Sequence, residues 1–322
     1  MAPRVKPGGD DGAAGQDGQA GSGPARSERI MFWMIASAHR TARRGLEVLG
    51  FLVALAAAGT PPAAAKPARI VSLNSCPDQL LLALADRDRI RSLSHLAADP
   101  LTSALARQAA GIPLNHGLSE EILPLKPDLV LASAFTTRST VWLLRKLGFP
   151  VLALPVAASL ADIRANIRTV ATAIGEPARG EALVAAFDRK LPRLEPGPRP
   201  LAVLFWANGY TSGTDTLANA VIEAAGFRTL GRELGLTGLS QLPLEILLTS
   251  GADVLILSRH GPAPALANQT ARHPALRRFF ASRRTVSVPD RLWVCGTPVV
   301  AEAIARLKAV RDELRQAREA GQ

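Results

Sequence analysis

The sequence predicts an α/β protein made of two similar lobes, each built on a parallel sheet. One pattern occurs twice: residues 120–131 read EEILPLKPDLVL and residues 245–257 read EILLTSGADVLIL, so each copy places a glutamate eight positions before an aspartate that opens an apolar run. Short apolar runs also alternate with segments of helical periodicity, which is typical of an open parallel sheet. A chain of 322 residues, 48% hydrophobic and 20% charged, is long enough for two lobes.

The first lobe is predicted to alternate strands and helices in order. Ser75 and Pro77 are residue types that begin helices, and Gly148 is typical of a helix end. The predicted elements are strand 69–73, helix 78–84, strand 90–93, strand 130–134, helix 140–147 and strand 151–154.

A helical connection is predicted between the lobes. Residues 159–194 keep a helical period without an intervening strand, and Gly175 and Pro177 divide them into two segments. A rigid helical bridge limits the motion of the lobes to small tilts. The second lobe is predicted to contain strand 201–205, helix 217–225, strand 254–257, strand 285–288 and helix 302–314. The boundaries expected for the first lobe, connection and second lobe are 66–157, 158–198 and 199–322.

The first 65 residues are expected to lie outside the fold. Residues 1–30 have few large apolar side chains, so we expect them to be disordered or to precede a true start at Met31 or Met34. Residues 31–65 have the layout of a signal peptide, with arginines, an apolar run and a small-residue cleavage site. The apolar run has about eleven residues, short of the roughly 20 that span a bilayer, which disfavours a membrane anchor. Without a cysteine at the site, a soluble, non-lipidated periplasmic protein beginning near Lys66 is expected.

The net charge of +11 does not indicate a nucleic-acid-binding protein. The basic residues are scattered singly over predicted helices, and aromatic residues, only 4% of the chain, are not interleaved with them for base stacking. The positive charge could instead favour an anionic ligand.

The chain resembles the periplasmic substrate-binding proteins of iron-siderophore, haem and cobalamin ABC importers, the class III proteins with a helical backbone. The resemblance covers residues 67–316, and its motifs are RIVSLNSCPDQLLLALADRDRI at 69–90, LKPDLVLA at 125–132, GTDTLANAVIEAAGF at 213–227 and LPLEILLTSGADVLIL at 242–257. It implies two Rossmann-like lobes joined by a long connecting α-helix, with a ligand cleft between them. It also implies a binding protein without catalytic activity, resident cofactor or metal that delivers its ligand to a permease with its ATPase. We expect a monomer.

Glu120 and Glu245 match the glutamates with which this family forms salt bridges to permease arginines. Two fixed charges far apart on a rigid body orient an encounter more than they add affinity. Acidic residues in the first turn of a helix also interact favourably with the helix dipole, which is the alternative explanation. Glu121 is the alternative docking residue of the first lobe.

Ligands of open α/β sheets bind beyond the carboxyl ends of the strands. The residues predicted there are Asn74, Ser75, Cys76, Phe135, Thr136, Trp206, Tyr210, Arg259, His260, Trp293 and Cys295. Flat aromatic side chains suit a corrin, a porphyrin or a catecholate. Trp206 and Trp293 could equally be core residues.

Cys76 and Cys295 are the only cysteines, and three roles remain open for them. They could form a disulfide, which would lock a cleft between the lobes. Either thiolate could instead ligate a haem iron or a corrin cobalt, or both could be buried thiols without a role. The histidines have no metal-ligand spacing, so a bare metal ion is disfavoured as the ligand.

The competing functional class is a secreted hydrolase that uses Cys295 and His260. No G-x-S-x-G, HExxH, phosphate-binding glycine loop or G-x-G-x-x-G supports an enzyme. Among ligands, a corrinoid ranks first, a ferric siderophore close behind and haem third, because Arg138 and Arg259 are the only arginines expected near the cleft and siderophore carriers often present several.

Overall fold

The computed structural model describes residues 65–259, 274–279, 281 and 284–320. The first lobe contains a five-stranded parallel sheet in the order β3-β2-β1-β4-β5. Its strands are β1 (Ile70–Ser72), β2 (Ile90–Ser94), β3 (Leu114–Asn115), β4 (Leu129–Ser133) and β5 (Val151–Leu154). Its helices are α1 (Ser75–Leu84), α2 (Ala106–Ala109), α3 (Ser119–Ile122) and α4 (Arg138–Lys146).

The second lobe contains a four-stranded parallel sheet and a small antiparallel ribbon. The order of the parallel sheet is β11-β10-β6-β8, and β7 pairs with β9 in the ribbon. The strands are β6 (Leu201–Phe205), β7 (Tyr210–Ser212), β8 (Arg228–Thr229), β9 (Leu239–Gln241), β10 (Val254–Arg259) and β11 (Arg284–Pro289). The helices are α7 (Leu217–Ala224), α8 (Leu230–Glu233), α9 (Leu244–Thr249), α10 (Pro274–Phe279) and α11 (Val300–Ala320).

The aspartates of the repeated sequence pattern have the same structural role in both lobes. Asp128, directly before β4, accepts hydrogen bonds from the backbone N–H groups of Ala68 and Arg69 at 2.9 and 2.8 Å. Asp253, directly before β10, accepts one from the N–H of Leu201 at 2.8 Å. Each carboxylate therefore fixes the beginning of the neighbouring strand, which is β1 for Asp128 and β6 for Asp253. The order β5-β4-β1-β2 matches β11-β10-β6-β8, so the predicted α/β fold with two parallel sheets is confirmed.

The connection between the lobes consists of two helices, α5 (Leu160–Ala173) and α6 (Pro177–Lys190), rather than one long helix. Gly175, with φ of +74°, reverses the chain, and Pro177 occupies the first turn of α6, where its missing N–H is not needed. The two helices pack against each other, and a Cβ on Gly180 would lie 2.5 Å from the Cβ of Ala171. Gly175 and Pro177 therefore separate two helices, and the second helix folds back on the first.

One hydrophobic cluster extends through both lobes and the connection. Ile163 and Ile167 of α5 are fully buried in it, together with Leu80 from α1 and Val221 from α7. Helix α5 packs on both α1 and α7, so it belongs to the core and not only to a linker. Among the described helices, none combines the length and apolar character needed to cross a membrane.

Candidate ligand-binding cleft

A cleft with a volume of about 590 Å³ lies between the lobes. The first lobe contributes residues that follow β4 and β5, and the second contributes residues that follow β6 and β11, as the strand-end rule requires. The side chains that define its chemistry are Phe135 and Val156 from the first lobe and Trp206, Tyr210, Asp215, Leu239, Asp290, Trp293 and Val294 from the second.

A tight turn after β6 brings Trp206 and Tyr210 to the cleft together. Asn208 and Gly209 have φ values of +57° and +76°, which reverse the chain within a few residues. The N–H of Trp206 donates to the carbonyl of Tyr210 at 2.7 Å and closes the turn. Tyr210 then begins β7, whose partner β9 carries Leu239 to the rim of the cleft.

Trp293 forms a buried wall of the cleft. Its side chain is 3% exposed and belongs to the cluster against which Trp206 also packs, so the two tryptophans do not lie in separate cores. Its indole Nε1–H finds no acceptor within the described part of the chain. Because buried donors in folded proteins are nearly always paired, this N–H is suited to a ligand acceptor.

The two cysteines form a disulfide that joins the lobes. Cys76 lies in the first turn of α1 and Cys295 precedes α11, and their Cα atoms are 5.1 Å apart. The bond removes the thiolate that metal ligation or a Cys295 nucleophile would need. A small cavity of about 50 Å³ beside the disulfide shares Phe135, Val156 and Val294 with the main cleft. The disulfide therefore lies next to the cleft, as a structural link and not as a ligand.

Three other predicted residues do not line the described cleft, and two of them have structural roles. Asn74 caps α1 by accepting from the N–H of Cys76 at 3.5 Å. Thr136, 8% exposed, accepts from the N–H of Ser133 at 2.9 Å. Ser75 is buried in the first turn of α1. Arg259 is the last residue of β10, and His260 lies outside the described residues.

Two cleft carboxylates were missed by sequence reasoning. Asp290 follows β11 directly, so the strand-end rule applied to that strand would have found it. Asp215 has a φ of +61° in the turn before α7, and no periodic signal marks it. The described lining contains these two carboxylates and no lysine or arginine.

Two histidines missed as candidates lie at the carboxyl ends of β2 and β3. The rings of His95 and His116 stack with their centroids 4.9 Å apart. The Nδ1 of His116 is 2.9 Å from Oε1 of Glu121, and Oε2 of Glu121 accepts from the N–H of His116 at 2.7 Å. The hydrogen bond with the His116 side chain lowers the pKa of the Glu121 carboxyl. Among the described residues, no cluster of three or more His, Cys, Asp or Glu could hold a bare metal ion.

Comparison with known proteins decides the family. The family model described as periplasmic binding protein matches residues 70–287, more than half of the chain. The chain belongs to this family. A cobalamin-binding protein of Halobacterium salinarum is 28% identical to this binding protein over 199 residues, which are 59% of this chain and 54% of the relative. The binding protein thus spans about half the length of the relatives that it matches.

Solved structures share the fold of this binding protein. The periplasmic haem-binding protein RhuT from Roseiflexus sp. RS-1 superposes with a TM-score of 0.63 at 22% identity, covering 75% of this chain and 96% of the other. The periplasmic vitamin B12-binding protein BtuF of Vibrio cholerae superposes with a TM-score of 0.59 at 20% identity, covering 76% and 96%. Identities this low establish the fold alone.

Each lobe of the binding protein presents one predicted docking glutamate in the first turn of a short helix. Glu120 on α3 and Glu245 on α9 are both exposed, and neither has an ion-pair partner among the residues that the structure describes. The carboxylate of Glu121 is hydrogen-bonded to His116, so of the two neighbouring glutamates Glu120 is the one that is available for docking.

Proposed function

We propose that this protein is the solute-binding component of an ABC importer and that its ligand is a cobalamin-like corrinoid. The observation that carries the choice of ligand is an aromatic cleft that contains the Asp215 carboxylate and no cation in its described lining. The cobalamin-binding relative supports the same choice. The family is one of binding proteins rather than enzymes, and the described lining of the cleft contains no nucleophile with a base beside it.

The charges of the cleft distinguish the three ligand classes. The periphery of a corrinoid carries amide groups, whose N–H donors hydrogen-bond well to carboxylates, and its ring faces are apolar. Haem carries carboxylates and many ferric siderophores are anionic, so burying either against Asp215 would place like charges together at a cost. The exposed Phe135 and Leu239 at the rim would cover the ring faces.

The test is an isothermal titration of the secreted protein with cyanocobalamin, with Asp215→Asn and Trp206→Ala as variants. We expect saturation at one ligand per chain, and a loss of about ten-fold in affinity for each variant, because each removes a contact that the bound ligand would bury. Trp142→Ala is the matched control, since Trp142 is 60% exposed on α4 and outside the cleft. Absence of heat at micromolar protein would contradict a corrinoid ligand. An anionic ligand would instead bind Asp215→Asn more tightly than the wild type.

A second candidate ligand is haem, which the histidine pair favours. The carboxylate of Glu121 fixes the ring of His116 through Nδ1, in the way that carboxylates of metal proteins orient the histidines that bind the metal. The Nε2 atom would then be free for the axial position of an iron porphyrin. Ferric haem added to the protein would show a shifted Soret band that His116→Ala abolishes, whereas an unchanged spectrum would contradict haem as the ligand.

We also propose that residues 31–65 are a cleaved signal peptide and that the mature protein acts as a soluble periplasmic monomer. The proposed limits of its lobes are 66–157 and 199–322, with 158–198 as the connection. Glu120 and Glu245 would dock the two lobes onto arginines of the permease that works with the importer's ATPase. Their exposure and lack of described partners support this role.

A further inference from the structure

Helix α4 presents an unusual outer face. Arg138, Trp142 and Arg145 recur at positions i, i+4 and i+7, which places them on one side of the helix. The opposite side packs into the lobe through the fully buried Leu144. Trp142 is 60% exposed and Leu147, directly after the helix, is 52% exposed. We call Arg138, Trp142, Arg145, Lys146 and Leu147 the α4 patch.

The cations of the α4 patch are not neutralised. Arg138 and Arg145 have no hydrogen-bond or ion-pair partner within the described ranges, and helix α4 contains no acidic residue. The Nζ of Lys146 lies 4.8 Å from the centroid of the Trp142 ring and leaves its charge toward solvent. Two arginines of α5 differ from these, since Arg164 pairs with Asp188 and Arg168 with Glu181.

We propose that the α4 patch binds the surface of an anionic phospholipid membrane. An exposed tryptophan flanked by lysine and arginine is the combination that suits the headgroup region, where the indole sits among the headgroups and the cations meet phosphates. A purely structural role explains the patch less well. Cations in the last turn stabilise the helix dipole, but this requires neither an exposed tryptophan nor Arg138 in the first turn.

The location of the patch suits a protein that works beside a membrane. Helix α4 packs next to α3, which carries Glu120, and Ile122 and Leu144 from these two helices share one cluster on the same face of the first sheet. A lipid contact at the patch would hold the first lobe at the membrane surface. The protein would then reach a permease by diffusion along the membrane instead of through the surrounding solution. The proposal depends neither on the identity of the ligand nor on the docking role of Glu120.

The chain offers a matched control for the overall positive charge. Arg189 and Lys190 occupy the last turn of α6, as Arg145 and Lys146 occupy the last turn of α4, and both are exposed. They also lack ion-pair partners in the described part of the chain. Among the residues that the structure describes, no exposed tryptophan lies beside them. Replacing either pair of cations by glutamates changes the net charge by the same amount and places the same charges at a helix C-terminus. The two double variants therefore differ only in where on the protein surface the charges lie.

The experiment is flotation of the full secreted protein with vesicles of phosphatidylcholine alone or mixed with phosphatidylglycerol. We expect binding to the mixed vesicles, weakened by salt, and reduced about ten-fold in the double variant Arg145→Glu/Lys146→Glu and several-fold in Trp142→Ala. The double variant Arg189→Glu/Lys190→Glu should bind within about two-fold of the wild type. Circular dichroism and urea unfolding establish that each variant is folded.

Three results would overturn the proposal. The wild type could fail to bind the anionic vesicles. The two double variants could lose binding equally, which would assign the effect to net charge. The α4 variants could bind vesicles normally but fail to associate with the purified permease, which would assign the patch to a protein partner.

Discussion

Asp78 is a buried carboxylate on helix α1 that connects the helix to the first sheet. Its Oδ1 accepts from the N–H of Ser94 at 3.1 Å, and its Oδ2 accepts from the Ser94 hydroxyl at the end of β2. Burial raises the pKa of this carboxyl to about 6, although hydrogen bonds from Ser72 and Ser94 lower it in part. The carboxylate thus positions α1, and with it Cys76, at the expense of stability at neutral pH.

We expect Asp78→Asn to remove a pH dependence of stability. The folded state binds the proton of Asp78 more tightly than the unfolded state does. The free energy of unfolding of the wild type therefore decreases as the pH rises from about 4 to about 6, and this group accounts for about 3 kcal/mol of the decrease. Asparagine keeps both contacts, because its oxygen accepts from the Ser94 N–H and its amide donates to the Ser94 hydroxyl. Urea unfolding across pH 4–7 measures the difference.

The opposite control is Asp162→Asn on α5. Hydrogen bonds from Ser159 and Ala158 lower the pKa of Asp162, so its contribution is present above the unfolded pKa and is lost as the pH falls below it. If Asp78→Asn kept the decline of the wild type between pH 4 and pH 6, the carboxyl would not be the group responsible.

At the scale of elements, the lobes are joined in two places. Helices α5 and α6 form one connection, and the Cys76–Cys295 disulfide forms the other. Gly296, beside the disulfide, lies so close to residue 157 that a Cβ on it would be 2.4 Å from the Cβ of Ala157. The second link is therefore close to the start of the connection, where it restricts twisting of the lobes.

We expect loss of the disulfide to destabilise the protein measurably. The two cysteines are separated by 219 residues, and a cross-link over a long segment restricts the unfolded chain, so the double variant Cys76→Ser/Cys295→Ser should lose about 2–5 kcal/mol. Guanidinium unfolding with and without a dithiol reductant measures this. The reductant should destabilise the wild type and leave the variant unchanged. Equal midpoints for the oxidised and reduced wild type would mean that the hydrophobic cluster alone holds the lobes.

At the scale of the whole molecule, the structure is a duplication that presents equivalent surfaces. Asp128 and Asp253 fix corresponding strands in the same register, with Ile70 opposite Leu129 and Ala202 opposite Val254. The helices that precede these aspartates carry Glu120 and Glu245, so the two carboxylates occupy matching places on the two lobes. A pair of matching charges on one rigid body can set the orientation of a complex.

We expect Glu120→Ala and Glu245→Ala each to reduce ligand uptake by cells that carry the importer roughly ten-fold, and the double variant to reduce it further. Ligand affinity of the isolated protein should not change, because neither residue lines the cleft. Glu121→Ala is the matched control, since its carboxylate is occupied by His116 and should not contact the permease. Full uptake in the double variant would contradict a docking role.

Sequence reasoning located the long elements better than the short ones. The strands Leu201–Phe205 and Val151–Leu154 were predicted with their observed bounds, because buried parallel strands are continuous apolar runs. Strands β3, β7, β8 and β9 have only two or three residues and were not predicted, since so few residues show no period. Helix α11 extends beyond the predicted 302–314 at both ends.

The sequence by itself determined the two-lobed α/β fold, the helical connection and the aromatic residues after the strand ends, because hydrophobic periodicity and strand order are local or repeated along the chain. Only the tertiary structure decided which candidates face the cleft. Asn74 and Thr136 accept hydrogen bonds from backbone N–H groups, and neither lines the described cleft. Asp215 lies in the cleft because its backbone adopts a left-handed conformation. Cys76 forms a disulfide with Cys295, 219 positions away in the sequence. The physical reason is that a strand end fixes where a residue lies, whereas its hydrogen-bond and covalent partners come from segments far away in the sequence.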